Sequence, residues 1–157
     1  MIAIECSHLA IEEFLAENKL SYQQGKYNNF DIYTSANIHL ICGDYFALTR
    51  DLMEEVSAVF DRASLVALPL EMRKRYVDKQ TEILPATTRL LLVTLEYNQQ
   101  LMNGPPFSVP RREVMDLYQH KFKVNELSRN NILDNEPRFK QRGLDYLTEV
   151  VYLLERK

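Results

Sequence analysis

Residues 89–97 read RLLLVTLEY, the longest apolar run in the chain. Apolar side chains fall on both faces of this segment, as is typical of a central parallel strand covered by helices above and below. A membrane-spanning helix needs about 20 apolar residues, so the run is too short to cross a bilayer. The segment therefore predicts a buried strand near the middle of a sheet.

Helix signals are present on both sides of this run. Ser7 is a good N-cap for a helix whose apolar side carries Ile11, Phe14 and Leu15. Pro69 suits the first residue of a second helix, because proline has no amide hydrogen to lose there. Residues 46–55 have weak helical character, and residues 111–119 predict a short helix. The polar segment 17–30 predicts a loop.

Further strands alternate with these helices, which predicts an α/β sheet. The last of them, residues 146–156, also fits a helix by periodicity, but its β-branched residues favour a strand. The predicted strands other than 89–97 are IAIE (2–5), two strands within FDIYTSANIHLICGD (30–44), VSAVFD (56–61), FKVNEL (122–127) and YLTEVVYLLER (146–156).

Composition excludes several classes of protein. The chain has 157 residues, 46% of them hydrophobic and 26% charged, which fits one globular domain. A formal charge of −3 argues against a nucleic-acid partner, which requires a basic patch. Cys6 and Cys42 form no CxxC pair, no signal peptide is recognisable, and the three histidines show no metal-ligand spacing. We therefore expect a cytoplasmic protein with free thiols, no metal and no membrane partner.

Polar groups follow each predicted parallel strand. Ligands of open α/β sheets bind beyond the carboxyl ends of the strands, so these groups predict a ligand site at one edge. Each member also has an ordinary structural explanation: a helix-proximal acid, a turn aspartate, a surface ion pair or a stiff proline turn. The groups are Glu5, the GDY triplet 43–45, Asp61 with Arg62, and Glu96 with Tyr97 and the Gly-Pro-Pro loop 104–106.

Several colinear segments resemble the thiopurine S-methyltransferase family in its bacterial form. FDRASLVALP (60–69) and GPPFSVP (104–110) are the most specific, and a GxGxxG motif, which a nicotinamide dinucleotide enzyme needs, is absent. The resemblance implies one domain over residues 1–157, a class I S-adenosylmethionine-dependent methyltransferase: a Rossmann-like three-layer sandwich with a seven-stranded sheet. The other segments are AIECSHLAIEEFLAEN, SANIHLICGDYFAL, AVFDRASLVALPLEMRKRY, LLLVTLEYNQQLMNGPPFSVPRREV and RGLDYLTEVVYLLERK.

The same resemblance implies the cofactor, S-adenosyl-L-methionine, and the residues around it. Glu5 matches the acid that holds the ribose hydroxyls. Asp44 and Tyr45 match positions beside the adenine, and Arg62 matches an arginine near both cofactor and acceptor. These roles are expectations carried over from the family, residue by residue.

The acceptor implied by the family is an aromatic or heterocyclic thiol such as a thiopurine, and bacterial relatives suggest selenium or tellurium compounds as well. No catalytic base and no metal from the enzyme is required, since the reaction mainly needs alignment and exclusion of water. The residues implied on the acceptor side are Arg62, Pro105, Pro106, Phe107 and Arg138.

The family pattern begins ahead of Met1, with a first strand, a glycine-containing turn and a first helix. We therefore expect a truncated chain, the C-terminal two-thirds of the fold, lacking the N-terminal strand and helix. The expected function is S-methyl transfer, with possible loss of activity in this form. The alternatives are a non-catalytic remnant, or an interaction module whose open sheet slot is filled by another chain, with self-association through exposed sheet edges.

Overall fold

The computed structural model describes residues 1–157, which divide into two compact units, Met1–Thr49 and Arg50–Lys157. They are called the N-terminal and C-terminal units below and are described separately. Eight strands form two four-stranded sheets, where the resemblance implied one sheet of seven. No helix has both the length and the apolar character required to cross a membrane.

The sheet of the N-terminal unit has the strand order β1-β4-β3-β2. Strand β1 pairs in parallel with β4, and the other two pairings are antiparallel. The predicted strands of this half are confirmed. The elements are β1 (Ile2–Glu5), α1 (His8–Glu17), β2 (Gln23–Tyr27), β3 (Phe30–Ser35), β4 (Ile38–Cys42) and a 3-10 helix (Tyr45–Ala47).

Helix α1 begins as predicted, because Oγ of Ser7 accepts a hydrogen bond from the Ala10 amide at 3.3 Å. Ile11 and Leu15 are buried in a core cluster that also contains residues of β3 and β4. Phe14, expected on the same apolar side, is instead 38% exposed. The helix buries a narrow stripe one residue wide per turn, which leaves the neighbouring position in solvent.

The loop predicted for residues 17–30 is wrong in part, because residues 23–27 form strand β2. All five residues of β2 are exposed, so the sequence shows no apolar alternation there. The strand pairs with β3 through a tight turn at Asn28, whose φ of +51° is tolerated better by asparagine than by most residues.

The sheet of the C-terminal unit has the order β5-β6-β8-β7, with β6 in an interior position as predicted. Strand β6 is parallel to β5 and antiparallel to β8. The weak helix predicted at residues 46–55 is a pair of 3-10 turns, of which Arg50–Met53 belongs here. The other elements are β5 (Ala58–Asp61), α2 (Ser64–Ala67), α3 (Leu70–Ile83), β6 (Arg89–Glu96), a 3-10 helix (Gln99–Leu101), α4 (Arg111–Tyr118), β7 (Phe122–Asn131), a 3-10 helix (Leu133–Asn135), α5 (Pro137–Gln141) and β8 (Thr148–Arg156).

The two faces of β6 are covered unequally. Leu90, Leu92 and Thr94 are buried, whereas Leu91 on the opposite face is 36% exposed. The prediction of helices above and below this strand is therefore only partly correct. Pro69 is the N-cap of α3 and not its first residue, a shift of one position.

Candidate active site

In the N-terminal unit, Glu5 and Asp44 lie at the same edge of the sheet. Glu5 is paired in register with Cys42 of the neighbouring parallel strand. The Gly43 amide extends this ladder by donating to the Glu5 carbonyl at 2.9 Å, so Asp44 follows directly beyond the strand ends. Gly43 has no room for a side chain, because an added Cβ would overlap the ring of Phe30.

The carboxylate of Glu5 is held by the turn that leads into α1. Its Oε1 atom accepts hydrogen bonds from the amides of Cys6 and Ser7, at 2.7 and 2.9 Å. No backbone amide donates to its Oε2 atom. The hydrogen bond and negative charge of Glu5 raise the pKa of the Cys6 thiol, so this exposed cysteine is protonated at neutral pH. The structural role of Glu5 at the start of the helix is therefore compatible with a role in ligand binding, since only one of its carboxylate oxygens bonds the helix turn.

Asp44 caps the 3-10 helix that follows β4. Its Oδ1 accepts a hydrogen bond from the Phe46 amide at 2.9 Å, and the side chain is exposed. Next to it, the half-buried ring of Tyr45 packs edge-on against Phe46, with 5.7 Å between ring centroids. The turn-aspartate explanation is therefore correct for one oxygen, and the other is available to a ligand.

In the C-terminal unit, the Asp61–Arg62 pair is divided between core and surface. Asp61 is 2% exposed and accepts hydrogen bonds from the Tyr76 hydroxyl, Gln80 Nε2 and the Leu65 amide. Burial raises the pKa of Asp61, and these hydrogen bonds oppose that effect. The surface ion pair considered for Asp61 and Arg62 is absent, because Asp61 is bound to neutral groups inside the core.

The remaining predicted residues share one edge of the C-terminal sheet. Arg62 follows the carboxyl end of β5, and the proline loop (residues 103–110) follows β6, which runs parallel to β5. The register between β6 and β8 pairs Glu96 with Thr148, so β8 begins at this edge and α5, with Arg138, precedes it there. The structure therefore brings Arg62, the loop and Arg138 to one edge. Neither arginine side chain forms a hydrogen bond or ion pair within the chain, and both are exposed.

Comparison with known proteins decides the family. The family model for thiopurine S-methyltransferase matches residues 1–157. The thiopurine S-methyltransferase of Nitrosospira multiformis is 44% identical over 154 residues, covering 98% of this chain and 70% of that protein. That of Nitrosomonas eutropha is 44% identical over 156 residues, covering 99% of this chain and 71% of that protein.

The chain belongs to the thiopurine S-methyltransferase family.

The fold agrees with this family. An S-adenosylmethionine-dependent methyltransferase from Anabaena variabilis superposes with a TM-score of 0.61 at 12% identity, covering 99% of this chain and 68% of that chain. At that identity the likeness concerns the fold alone, a class I, Rossmann-like methyltransferase. Family and fold together support S-adenosylmethionine-dependent methyl transfer. The assignment of residues 1–157 to one methyltransferase domain stays a prediction.

Sequence reasoning singled out Tyr97 after β6 but missed Gln99 and Arg73, which also fix the proline loop. Tyr97 donates from its hydroxyl to the Pro106 carbonyl at 2.6 Å, and Gln99 Oε1 accepts from the Ser108 amide at 2.8 Å. Burial raises the pKa of the Tyr97 phenol, which keeps it protonated as a donor. Arg73, on the buried face of α3, donates to the Ser108 carbonyl at 3.2 Å. A charged residue on a face shared with Tyr76, Val77 and Gln80 was the available signal.

Proposed function

We propose that this chain transfers a methyl group from S-adenosyl-L-methionine to a small aromatic or heterocyclic thiol. The observation that supports the proposal best is the position of Glu5 and Asp44 at neighbouring strand ends, each with one carboxylate oxygen that accepts no hydrogen bond from the backbone. A ribose presents two hydroxyl donors and an adenine presents an amine donor, so acceptor oxygens suit both. When bound, the cofactor supplies an electrophilic methyl group.

In this proposal Glu5 accepts hydrogen bonds from the ribose hydroxyls through Oε2, because Oε1 is held by the helix turn. Asp44 accepts a hydrogen bond from the adenine amine, and the aromatic ring of the next residue, Tyr45, packs on the base. Charge-assisted hydrogen bonds are stronger than neutral ones, which favours carboxylates in these roles.

On the acceptor side, the exposed cations of the C-terminal unit favour the thiolate form of the substrate. An opposite charge within a few ångströms lowers the pKa of a thiol, and Arg62 and Arg138 have no internal partner to neutralise them. Phe107, half-buried in the proline loop, offers an aromatic face to a flat acceptor. Selenols are softer and more acidic than thiols, and we propose that they are accepted as well, as are tellurium compounds.

The test is a methylation assay on the full chain with benzenethiol, benzeneselenol and phenol, with products identified by mass spectrometry. We expect methyl transfer to sulfur and selenium and none to oxygen.

In Arg62→Gln, the pH at which activity reaches half its maximum should move upward, since the acceptor thiolate loses its cation. Titration calorimetry with S-adenosylhomocysteine separates binding from turnover: binding without turnover supports a non-catalytic remnant, and no heat at millimolar ligand contradicts the cofactor proposal.

The free thiols Cys6 and Cys42 are the basis for proposing a cytoplasmic location. A fusion of the chain to a redox-sensitive fluorescent protein would report a reducing compartment if that is correct.

A second candidate function is self-association through the sheet of the C-terminal unit. Strand β5 pairs with β6 on one edge only, and Phe60 of β5 is 66% exposed. An edge strand with an exposed aromatic residue is a ready template for pairing with a second copy. Sedimentation velocity tests this: Phe60→Lys should shift an oligomer toward monomer, whereas Leu70→Lys, an equally exposed leucine at the start of α3, should not.

A further inference from the structure

A buried cation of α3, Arg73, contacts the proline loop. Its side chain is 4% exposed and forms a salt bridge with Glu113 of α4, with Nη1 lying 2.7 and 2.8 Å from the two carboxylate oxygens. Nε donates to the Leu68 carbonyl at 2.9 Å, and Nη1 also donates to the Ser108 carbonyl at 3.2 Å. Cζ lies 5.8 Å from the ring centroid of Phe107, within cation–π range.

Phe107 is held in place by a backbone hydrogen bond and by contacts of its ring. Its amide donates to the Val66 carbonyl at 2.6 Å. Its ring lies against Gly104, where φ is +70° and an added Cβ would stand 2.6 Å from Cδ1 of the ring. Only glycine adopts this conformation and permits this approach at little cost. The ring therefore contacts the Gly104 backbone and the Arg73 guanidinium, and its position depends on both.

The same residues of the loop are also bound by groups other than Arg73. The Tyr97 hydroxyl donates to the Pro106 carbonyl, and its amide donates to Oγ of Ser108 at 3.1 Å. Gln99 accepts from the Ser108 amide. Residues 106–108 are thus bound by the end of β6 on one side and by α3 on the other, and removing either anchor leaves the other in place.

The simplest alternative is that Arg73 and Glu113 only join α3 to α4. A buried ion pair of that kind needs no contact with the loop, and replacing it by apolar residues is often neutral. Here the same guanidinium also bonds the Ser108 carbonyl and lies on the Phe107 ring. Its planar fork makes these contacts simultaneously, which a lysine cannot do. Apart from Glu113 and the Leu68 carbonyl, the contacts of this guanidinium are with the loop, which favours a role there.

We propose that Arg73 is a positioning residue that sets the conformation of residues 106–108 and thereby the affinity for the acceptor, with Glu113 holding the guanidinium in place. The inference rests on the proposed function in one respect: the loop must contact the acceptor. A loop fixed before binding costs less conformational entropy when a flat ligand docks on Phe107. Arg73 contacts no substrate itself.

The first test reads the loop directly and requires no activity. Amide hydrogen exchange by NMR is compared in the full chain, in Arg73→Lys and in the surface control Arg112→Lys, whose side chain is 93% exposed. We expect the Phe107 and Ser108 amides to exchange about tenfold faster in Arg73→Lys, which corresponds to a loss of about 1.4 kcal/mol in the free energy of local opening. The amide of Leu92 in β6 reports global stability and should change little.

Glu113→Gln provides a second variant if Arg73→Lys does not fold. Glu113 contacts Arg73 and makes no hydrogen bond to the loop. Faster exchange at Phe107 and Ser108 in Glu113→Gln therefore reports an effect transmitted through the guanidinium. Unchanged exchange at both amides in the variants that fold overturns the proposal, whether or not the chain is an active methyltransferase.

The second test separates positioning from chemistry. With benzenethiol as acceptor, Arg73→Lys should raise KM about tenfold and leave kcat within about threefold, since the reacting groups are untouched. The dissociation constant for S-adenosylhomocysteine should not change. Faster loop exchange with an unchanged KM overturns the link to the acceptor. An inactive wild-type chain contradicts the proposed function, while the exchange measurement still decides the role of Arg73.

Discussion

The hydroxyl of Tyr76 donates to Oδ2 of Asp61 at 2.9 Å, in the core of the C-terminal unit. The other donors to this carboxylate, the Leu65 amide and Gln80 Nε2, are also neutral. A buried carboxylate supplied only by neutral donors remains costly to ionise, and burial raises its pKa above the ordinary 3.8. The acid of the Asp-Arg pair thus belongs to the scaffold that carries Arg62.

Replacing Asp61 with asparagine should change how stability depends on pH. Between pH 3.8 and the raised pKa, the folded wild type binds more protons than the unfolded chain, so rising pH lowers its free energy of unfolding. One proton gives at most about 1.4 kcal/mol per pH unit. Asp61→Asn does not titrate, so its stability relative to wild type should increase through this window and then level off.

Urea unfolding from pH 4 to pH 8 measures the difference. Asp116→Asn, at an aspartate whose side chain is 66% exposed on α4, is the control and should track the wild type. Parallel curves for Asp61→Asn and the wild type would mean that the carboxylate titrates normally in the folded state.

Tyr152→Phe should leave the protein as stable as the wild type or more stable. Tyr152 is fully buried, its hydroxyl has no hydrogen-bond partner, and burial raises its pKa to about 12. Removing an unpaired buried hydroxyl relieves a desolvation cost, which we expect to add about 1 kcal/mol to the free energy of unfolding. Tyr118→Phe is the matched control, because the equally buried Tyr118 hydroxyl donates to Gln80 Oε1 at 3.2 Å. The free energy of unfolding of Tyr118→Phe should fall by about 1 kcal/mol. Equal losses of stability in both variants would contradict the conclusion that the Tyr152 hydroxyl is unpaired.

Gly43→Ala should destabilise the N-terminal unit. The added methyl group overlaps the Phe30 ring, and overpacking of this kind costs about 1–3 kcal/mol. Gly25→Ala, in the exposed strand β2, meets no atom within 4 Å and should be close to neutral. Phe30→Leu should partly rescue Gly43→Ala, which thermal unfolding of the double variant would reveal. Additive losses in the double variant would exclude the clash as the cause.

Glu5→Gln should weaken binding of S-adenosylhomocysteine. Hydrogen bonds to a charged group are worth about 1.5–3 kcal/mol, which corresponds to a loss of roughly tenfold to a hundredfold in affinity. Glu12→Gln, an exposed glutamate on the outer face of α1, is the control and should bind normally. Calorimetry gives both constants, and the cofactor role of Glu5 is falsified if the two variants bind equally well.

The sequence predicted those features that depend on local pattern. Strand β6 was evident because its apolar residues are contiguous, and Ser7 and Pro69 marked helix starts within one residue. Strand β2 is not predicted by the sequence pattern, because it is exposed throughout and lacks alternation of apolar and polar residues. The burial of Arg73 is not predicted for a different reason: it depends on Glu113, which is 40 residues away along the chain. Contacts between distant charged residues leave no periodic signal.

The hairpin of β2 and β3 has a practical consequence for anyone wishing to handle this protein. Its outer strand buries no side chain, and its tip at Asn28 and Asn29 is exposed. Such tips accept added sequence at little thermodynamic cost. A fluorescent peptide, an affinity tag or an immobilisation site grafted between these asparagines would leave both termini free, and it would lie at the sheet edge that carries Glu5 and Asp44, because Asp31 of β3 is paired in register with Cys42 of β4.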